Sequence, residues 1–141
     1  MKPPTEAQLN EEIDDGYGLQ WEGEPSWIIQ AEIDRKNMEI DAMEVTMEMT
    51  VDRWKKEEAY LLTVIRLYEN SIEFEMEWQD EVDQVAVAHE QERLQEAKNK
   101  HSTEKKEFET GEKEAKEAIE LKKRELAVLQ DVLRRSHTGH F

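Results

Sequence analysis

Hydrophobic residues recur every seven positions along the first half of the chain. The series comprises Ile33, Ile40, Met47, Trp54, Leu61 and Tyr68, with Val51, Ile65 and Ile72 beside it. Neither Gly nor Pro occurs from Ser26 to Thr110. A seven-residue spacing returns a side chain to nearly the same face of an α-helix. The pattern therefore predicts a mainly α protein with long helices, the first beginning near a capping Ser26.

A second pattern within residues 43–78 favours strands. Residues 43–52 and 72–78 alternate between apolar and polar side chains, and residues 60–68 are rich in β-forming types. Strict alternation is typical of a half-buried strand, and residues 69–71 could form a hairpin turn. A small antiparallel β element within 43–78 is thus the alternative to a helix, although Glu and Met favour the helix.

If residues 43–51 are helical, they carry hydrophobic side chains on two faces. Met43, Met47 and Val51 lie on one face, whereas Val45 and Met49 lie on another. We would expect such a helix to lie between two neighbours rather than on one.

The last third of the chain has the repeat of a coiled-coil or bundle helix, over about residues 108–135. The positions a and d fall on residues 112, 119, 126 and 133 and on residues 108, 115, 122 and 129. Candidate contact residues on this stripe are Phe108, Ala115, Ile119, Leu126, Leu129 and Leu133. A break or turn before it could fall at residues 99–103 or at Thr110–Gly111.

The N-terminal residues 1–26 are punctuated by Gly and Pro and contain several aromatic side chains. We interpret them as an extended acidic segment in which Tyr17, Leu19 and Trp21 anchor to a partner, since Trp and Tyr are favoured interface residues. The predicted organisation is this segment, an acidic central region at 27–98, the charged coiled-coil-like helix at 99–135 and a tail at 136–141.

Charge is divided unevenly among these parts. The chain of 141 residues has a net charge of −16, with 37% hydrophobic and 38% charged residues. Residues 1–52 have 14 acids against 3 bases, and residues 53–97 have 12 against 5. Residues 98–135 have 9 acids against 11 bases. A chain this polar is expected to have a thin core. A chain this acidic should repel nucleic acid and anionic lipid and favour basic protein partners.

The sequence contains no arrangement that predicts catalysis or cofactor binding. It has no Cys, no Gly-rich phosphate loop and no His-Glu-x-x-His motif. His137 and His140 could bind a metal ion, but we interpret residues 136–141 as a plain tail. We therefore expect no catalytic residue, no metal site, no cofactor and no enzymatic activity.

Location and role follow from the same features. There is no signal-peptide pattern and no apolar run of about 18 residues, so we expect an intracellular (cytoplasmic) or virion protein that is not secreted and spans no membrane. The leading hypothesis is a non-enzymatic structural or assembly subunit of a larger complex, which acts through coiled-coil and strap-like contacts or self-associates through its C-terminal helix. The alternative is an acidic binding module, such as an assembly chaperone or nucleic-acid mimic, that engages a basic protein.

Overall fold

The structure, a computed structural model, describes residues 17–78 and 81–137, and its only regular secondary structure there is helical. Helix α1 comprises Gly18–Trp21, α2 comprises Ser26–Trp78 and α3 comprises Gln84–His137. The predicted mainly α fold with long helices is confirmed, and α2 begins at the predicted Ser26.

The β alternative for residues 43–78 is not formed, because this whole range lies within α2. The buried residues of α2 follow the helical repeat instead of alternating. Ile33, Ile40 and Leu61 are buried, and Met47, Trp54 and Tyr68 are half-buried. Glu and Met, which favour helices, fill the polar and apolar positions of the alternating runs. The seven-residue repeat thus determined the structure, and the predicted turn at residues 69–71 is helical.

Helix α3 continues through both places where a break was considered. Residues 99–103 and Thr110–Gly111 are helical, and a side chain at Gly111 would meet open space. One exposed Gly costs a helix about 1 kcal/mol relative to Ala, which a helix of 54 residues can tolerate. The start of α3 is instead capped by Asp83, whose carboxylate accepts the backbone N–H groups of Val85 and Ala86 at 3.1 Å each.

Contacts divide the chain into two compact units. Unit 1 comprises Met1–Met47 and Glu114–Phe141, of which residues 17–47 and 114–137 are described. Its core consists of Ile29 and Ile33 from α2 and Leu129 and Val132 from α3. The helices run antiparallel in this unit, because Ser26 contacts Ser136 at 3.2 Å whereas Glu39 contacts Lys122 at 3.1 Å.

Unit 2 comprises Glu48–Lys113, with residues 79–80 outside the described part. Leu61, Ile65 and Val87 are its buried hydrophobic residues. Here too α2 and α3 run antiparallel, since Glu58 contacts His101 at 3.0 Å and Ser71 contacts Glu90 at 2.8 Å. Each unit is thus a two-layer helix pair with a narrow core, as expected for so polar a chain.

Candidate protein-docking surfaces

The C-terminal stripe packs against the chain's own helix α2 and α1. Ile119 and Leu129 are buried, and Leu126 and Leu133 pack at the edge of the unit 1 core. Ala115 in unit 1 is half-buried. These predicted contact residues are therefore used within one chain, and a substitution such as Ile119→Asp would test folding as well as association.

Two of the three predicted N-terminal anchors also point inward. Tyr17 and Trp21 are half-buried against the unit 1 core, with ring centroids 6.3 Å apart and planes at 63°. Leu19 is exposed. Rather than an extended strap, residues 18–21 form a short helix, with residues 1–16 outside the described part.

The close approach of α1 to α3 depends on Gly18. A Cβ atom at this position would lie 3.1 Å from Cγ1 of Val128, which is tighter than ordinary van der Waals contact. Beside it is an open groove of about 400 Å³. The groove is lined by Gly18, Leu19, Glu22, Ala127, Val128, Asp131 and Arg135. Leu19 and Val128 are its only branched apolar lining residues, so the groove itself offers little hydrophobic area.

A buried cation lies beside Tyr17. Lys36 is only 4% exposed, forms an ion pair with Glu125 of α3, and places its Nζ 5.5 Å from the centre of the Tyr17 ring. Burial, followed by the negative charges of Glu125 and Glu32, raises the pKa of Tyr17 to about 12. Sequence reasoning missed Lys36, although it occupies the position between Ile33 and Ile40 on the apolar face of α2.

Unit 2 has its own aromatic contact between the helices. The ring of Trp54 stacks on two rings of α3. Its centroid lies 5.4 Å from that of Phe108 and 6.3 Å from that of His101, with interplanar angles of 16° and 9°. A carboxylate oxygen of Glu58 lies 3.0 Å from Nε2 of the same His101 and accepts a hydrogen bond when that nitrogen carries a proton. Phe108, predicted as a contact residue, thus packs against the seven-residue series of α2.

The surface of α2 that faces away from α3 carries large hydrophobic side chains. We call these the outer row: Trp27, Met38 and Val45 in unit 1, and Met49, Tyr60, Leu67, Phe74 and Trp78 in unit 2. Their exposure ranges from 54% to 74%. Of this row, sequence reasoning identified only the second face formed by Val45 and Met49.

The outer row lies away from α3 because of its offset from the buried face. Met38 and Val45 lie two residues from Ile40 and Met47, and Leu67 lies two residues from Ile65. Two residues turn an α-helix by about 200°, so such pairs point in opposite directions. The predicted two-faced geometry of residues 43–51 is confirmed, since Met43, Met47 and Val51 are half-buried while Val45 and Met49 are exposed.

Within residues 17–78 and 81–137, no three His, Cys, Asp or Glu side chains are grouped to hold a metal ion. Over the same ranges, no helix combines the length and the apolar content that crossing a bilayer requires. His140 and the side chain of His137, considered as metal ligands, lie outside the described part.

Comparisons with known protein families, with curated proteins and with solved structures gave no match to this chain. The fold and its surfaces therefore define only a class, an α-helical protein in which two long helices pack on each other. Its functional interpretation rests on the geometry described above.

Proposed function

We propose that this protein is a non-enzymatic structural or assembly subunit of a larger macromolecular complex, within a cell or in a virion. The observation that carries the proposal is the outer row of α2. One face of this helix packs on α3, while large hydrophobic side chains on the other face remain exposed. Such a surface is typical of a helix that contacts a further protein.

The size of the outer row supports a specific contact. Its eight side chains include two Trp, one Tyr and one Phe, which are the residue types that dominate interface energetics. Complete burial of such a side chain contributes about 1.5–3 kcal/mol, which offsets part of the cost of association. A partner helix laid along this face would convert each helix pair into a small bundle.

The proposal is tested by the mass of the assembly in the protein's native cells. The variant Val45→Glu/Leu67→Glu introduces carboxylates into the outer row, one in each unit. We expect the wild-type chain to elute from size-exclusion chromatography of a native extract with a mass far above that of one or two copies. The variant should shift to smaller species with unchanged helicity by circular dichroism.

The matched control for that experiment is Met76→Glu. Met76 is 55% exposed and lies two residues from Phe74, which is 56% exposed, so the two side chains point to different sides of α2. The control variant should remain in the assembly. A wild-type chain that elutes from the native extract as a free monomer would contradict the proposed role.

The second candidate function, an acidic module that occupies a basic protein, is favoured by the charge of the first 97 residues. They carry 26 acids against 8 bases, a net of −18. A complex held by this charge should weaken steeply between 50 mM and 500 mM salt, because mobile ions screen exposed charges. A complex held by the outer row should persist over the same range.

A further inference from the structure

The negative charge of unit 2 lies at the end that contains the last turns of α2 and the first turns of α3. Residues 67–92, which we call the acidic end, contain nine acids and neither Lys nor Arg. The rest of unit 2, residues 48–66 and 93–113, contains nine acids and ten bases. The acids of the acidic end therefore have no bases nearby in the chain, and the negative potential of unit 2 is strongest there.

Large hydrophobic side chains are exposed within the acidic end. Leu67, Phe74 and Trp78 of the outer row are 63%, 56% and 74% exposed. They occupy positions i, i+7 and i+11 of α2, which return to nearly the same face of a helix. Together with the exposed Ser71 between them, they form a row of about three turns, which we call the apolar patch.

Ser71 leaves a gap in the apolar patch between Leu67 and Phe74, because its side chain is short. Its hydroxyl donates a hydrogen bond to Oε1 of Glu90 on α3 at 2.8 Å, and is thus held toward the neighbouring helix. The patch has the i, i+4, i+7 and i+11 spacing of a surface that packs against another helix. A large apolar side chain of such a helix fits the gap beside Ser71.

Carboxylates lie on both sides of the apolar patch. Glu73 and Glu77 are exposed and four residues apart, so they lie together on one side of α2 beside Phe74 and Trp78. On the other side, Glu90 of α3 contacts Ser71. An apolar row between carboxylates is complementary to a helix that has an apolar face and basic side chains along its edges.

We propose that the apolar patch binds a basic amphipathic helix of another protein. The apolar side chains of that helix cover Leu67, Phe74 and Trp78, and its Lys or Arg side chains pair with acids of the acidic end. The proposal deepens the contact role proposed above for the outer row and rests on it, since it names the chemistry of one partner. The site lies wholly within unit 2.

Charge favours this occupant over a second copy of the chain. Two copies packed through their apolar patches would bring the nine acids of one acidic end toward the nine acids of the other. Neither acidic end supplies a Lys or Arg to separate them, and like charges across an interface oppose association. Nucleic acid and anionic lipid are disfavoured for the same reason, because both are negatively charged.

The complex depends on both the apolar contact and the charge. Leu67, Phe74 and Trp78 expose roughly 400 Å² in total, on the usual areas of such side chains, whereas a standard interface buries about 800 Å² on each partner. The apolar patch alone is therefore small for a stable complex. Attraction to the surrounding acids speeds association and orients the basic helix.

The first test is the binding of a designed peptide to the purified full chain at 150 mM salt. The peptide has about 18 residues, or five helical turns, with Leu on one face and Lys elsewhere, and its fluorescence anisotropy reports binding. We expect one peptide per chain and a dissociation constant on the order of 10 μM. A scrambled peptide of the same composition, and a peptide with Glu in place of Lys, should each bind at least tenfold more weakly. Equal binding of the scrambled peptide, or no binding of the designed peptide at 200 μM, would overturn the proposal.

Two truncations and a matched control locate the site. Phe74→Ala and Trp78→Ala should each raise the dissociation constant of the designed peptide at least fivefold, because they remove aromatic contacts. Met76→Ala should leave it within twofold of wild type. Met76 is 55% exposed, as nearly as Phe74, and belongs to the same acidic end, but it points to a different side of α2. Equal effects of Phe74→Ala and Met76→Ala, at unchanged helicity by circular dichroism, would place the peptide elsewhere and overturn the proposal.

The contribution of charge is tested by neutral variants of equal size. Glu73→Gln/Glu77→Gln removes two acids beside the apolar patch and should raise the dissociation constant about fivefold. Glu107→Gln/Glu109→Gln removes two exposed acids from the balanced part of unit 2 and should leave it within twofold, because salt at 150 mM screens charges beyond about 8 Å. Equal effects of the two double variants would show attraction to the chain as a whole and contradict the proposed site.

The basic partner and the assembly role can fail separately. If no basic peptide binds the apolar patch while Val45→Glu/Leu67→Glu still leaves the native assembly, the basic partner is refuted and the assembly role remains. If the peptide binds there and the wild-type chain elutes from the native extract as a free monomer, the docking site is supported and the larger complex is refuted. A purified chain that is dimeric by light scattering and becomes monomeric with Phe74→Ala would assign the patch to a second copy and overturn the proposal.

Discussion

The buried ion pair between Lys36 and Glu125 gives a sharp test of the unit 1 packing. Glu125→Gln keeps the shape of the side chain but leaves the ammonium of Lys36, 4% exposed, without its counter-charge. Breaking a buried pair in this way costs about 3–5 kcal/mol. Because the Glu125 side chain is 18% exposed and the Tyr17 ring still faces the ammonium, we expect about 2–3 kcal/mol here.

Removing the cation should be less harmful than removing the anion. Lys36→Met keeps the length of the side chain and abolishes the charge, so we expect a loss of about 1 kcal/mol as Glu125 turns toward water. The double variant Lys36→Met/Glu125→Gln should be more stable than Glu125→Gln alone. Urea unfolding followed by circular dichroism, arranged as a double-mutant cycle, measures the coupling between the two residues.

An exposed ion pair in the same unit supplies the control. Lys123 contacts Glu44 at 3.1 Å, and both side chains are about half exposed. Glu44→Gln should therefore change the free energy of unfolding by less than about 1 kcal/mol. If Glu125→Gln and Glu44→Gln lower the free energy of unfolding by the same amount, the argument that Lys36 is desolvated in the fold is refuted.

Three further predictions concern local conformation, pH and packing. Gly23 has φ = 84°, so Gly23→Ala should cost about 1 kcal/mol in urea unfolding, whereas Gly111→Ala, in an exposed part of α3, should add up to about 1 kcal/mol. The raised pKa of Tyr17 means that the fold favours the neutral phenol. The stability that this preference contributes is complete below pH 10 and is lost as the pH rises through about 12. The difference in unfolding free energy between wild type and Tyr17→Phe should therefore change in that interval and stay constant from pH 7 to 9. Leu129 is fully buried, so Leu129→Ala should cost about 2–5 kcal/mol, and a loss below 1 kcal/mol would contradict the described core.

The helices were predictable from the sequence because one periodic signal extends over many residues. Ile33, Ile40 and Leu61 keep the seven-residue spacing in α2, and every a and d position of α3 is buried or half-buried, although the fully buried Val132 lies outside that repeat. The alternating runs within residues 43–78 suggested strands as an alternative. Alternation also places side chains on two opposite faces of a helix, however. Here both faces are apolar, and alternation and helicity coexist.

The position of the helix ends and of single polar residues was less predictable. Asn, Ser and Gly near residues 99–111 resemble turn residues, yet the packing of α3 on α2 outweighs their weak preference. The burial of Lys36 could not be predicted from neighbouring residues, because its partner Glu125 lies 89 residues away in the chain. Likewise, the inward packing of Tyr17 and Trp21 depends on a contact with α3 that no local pattern encodes.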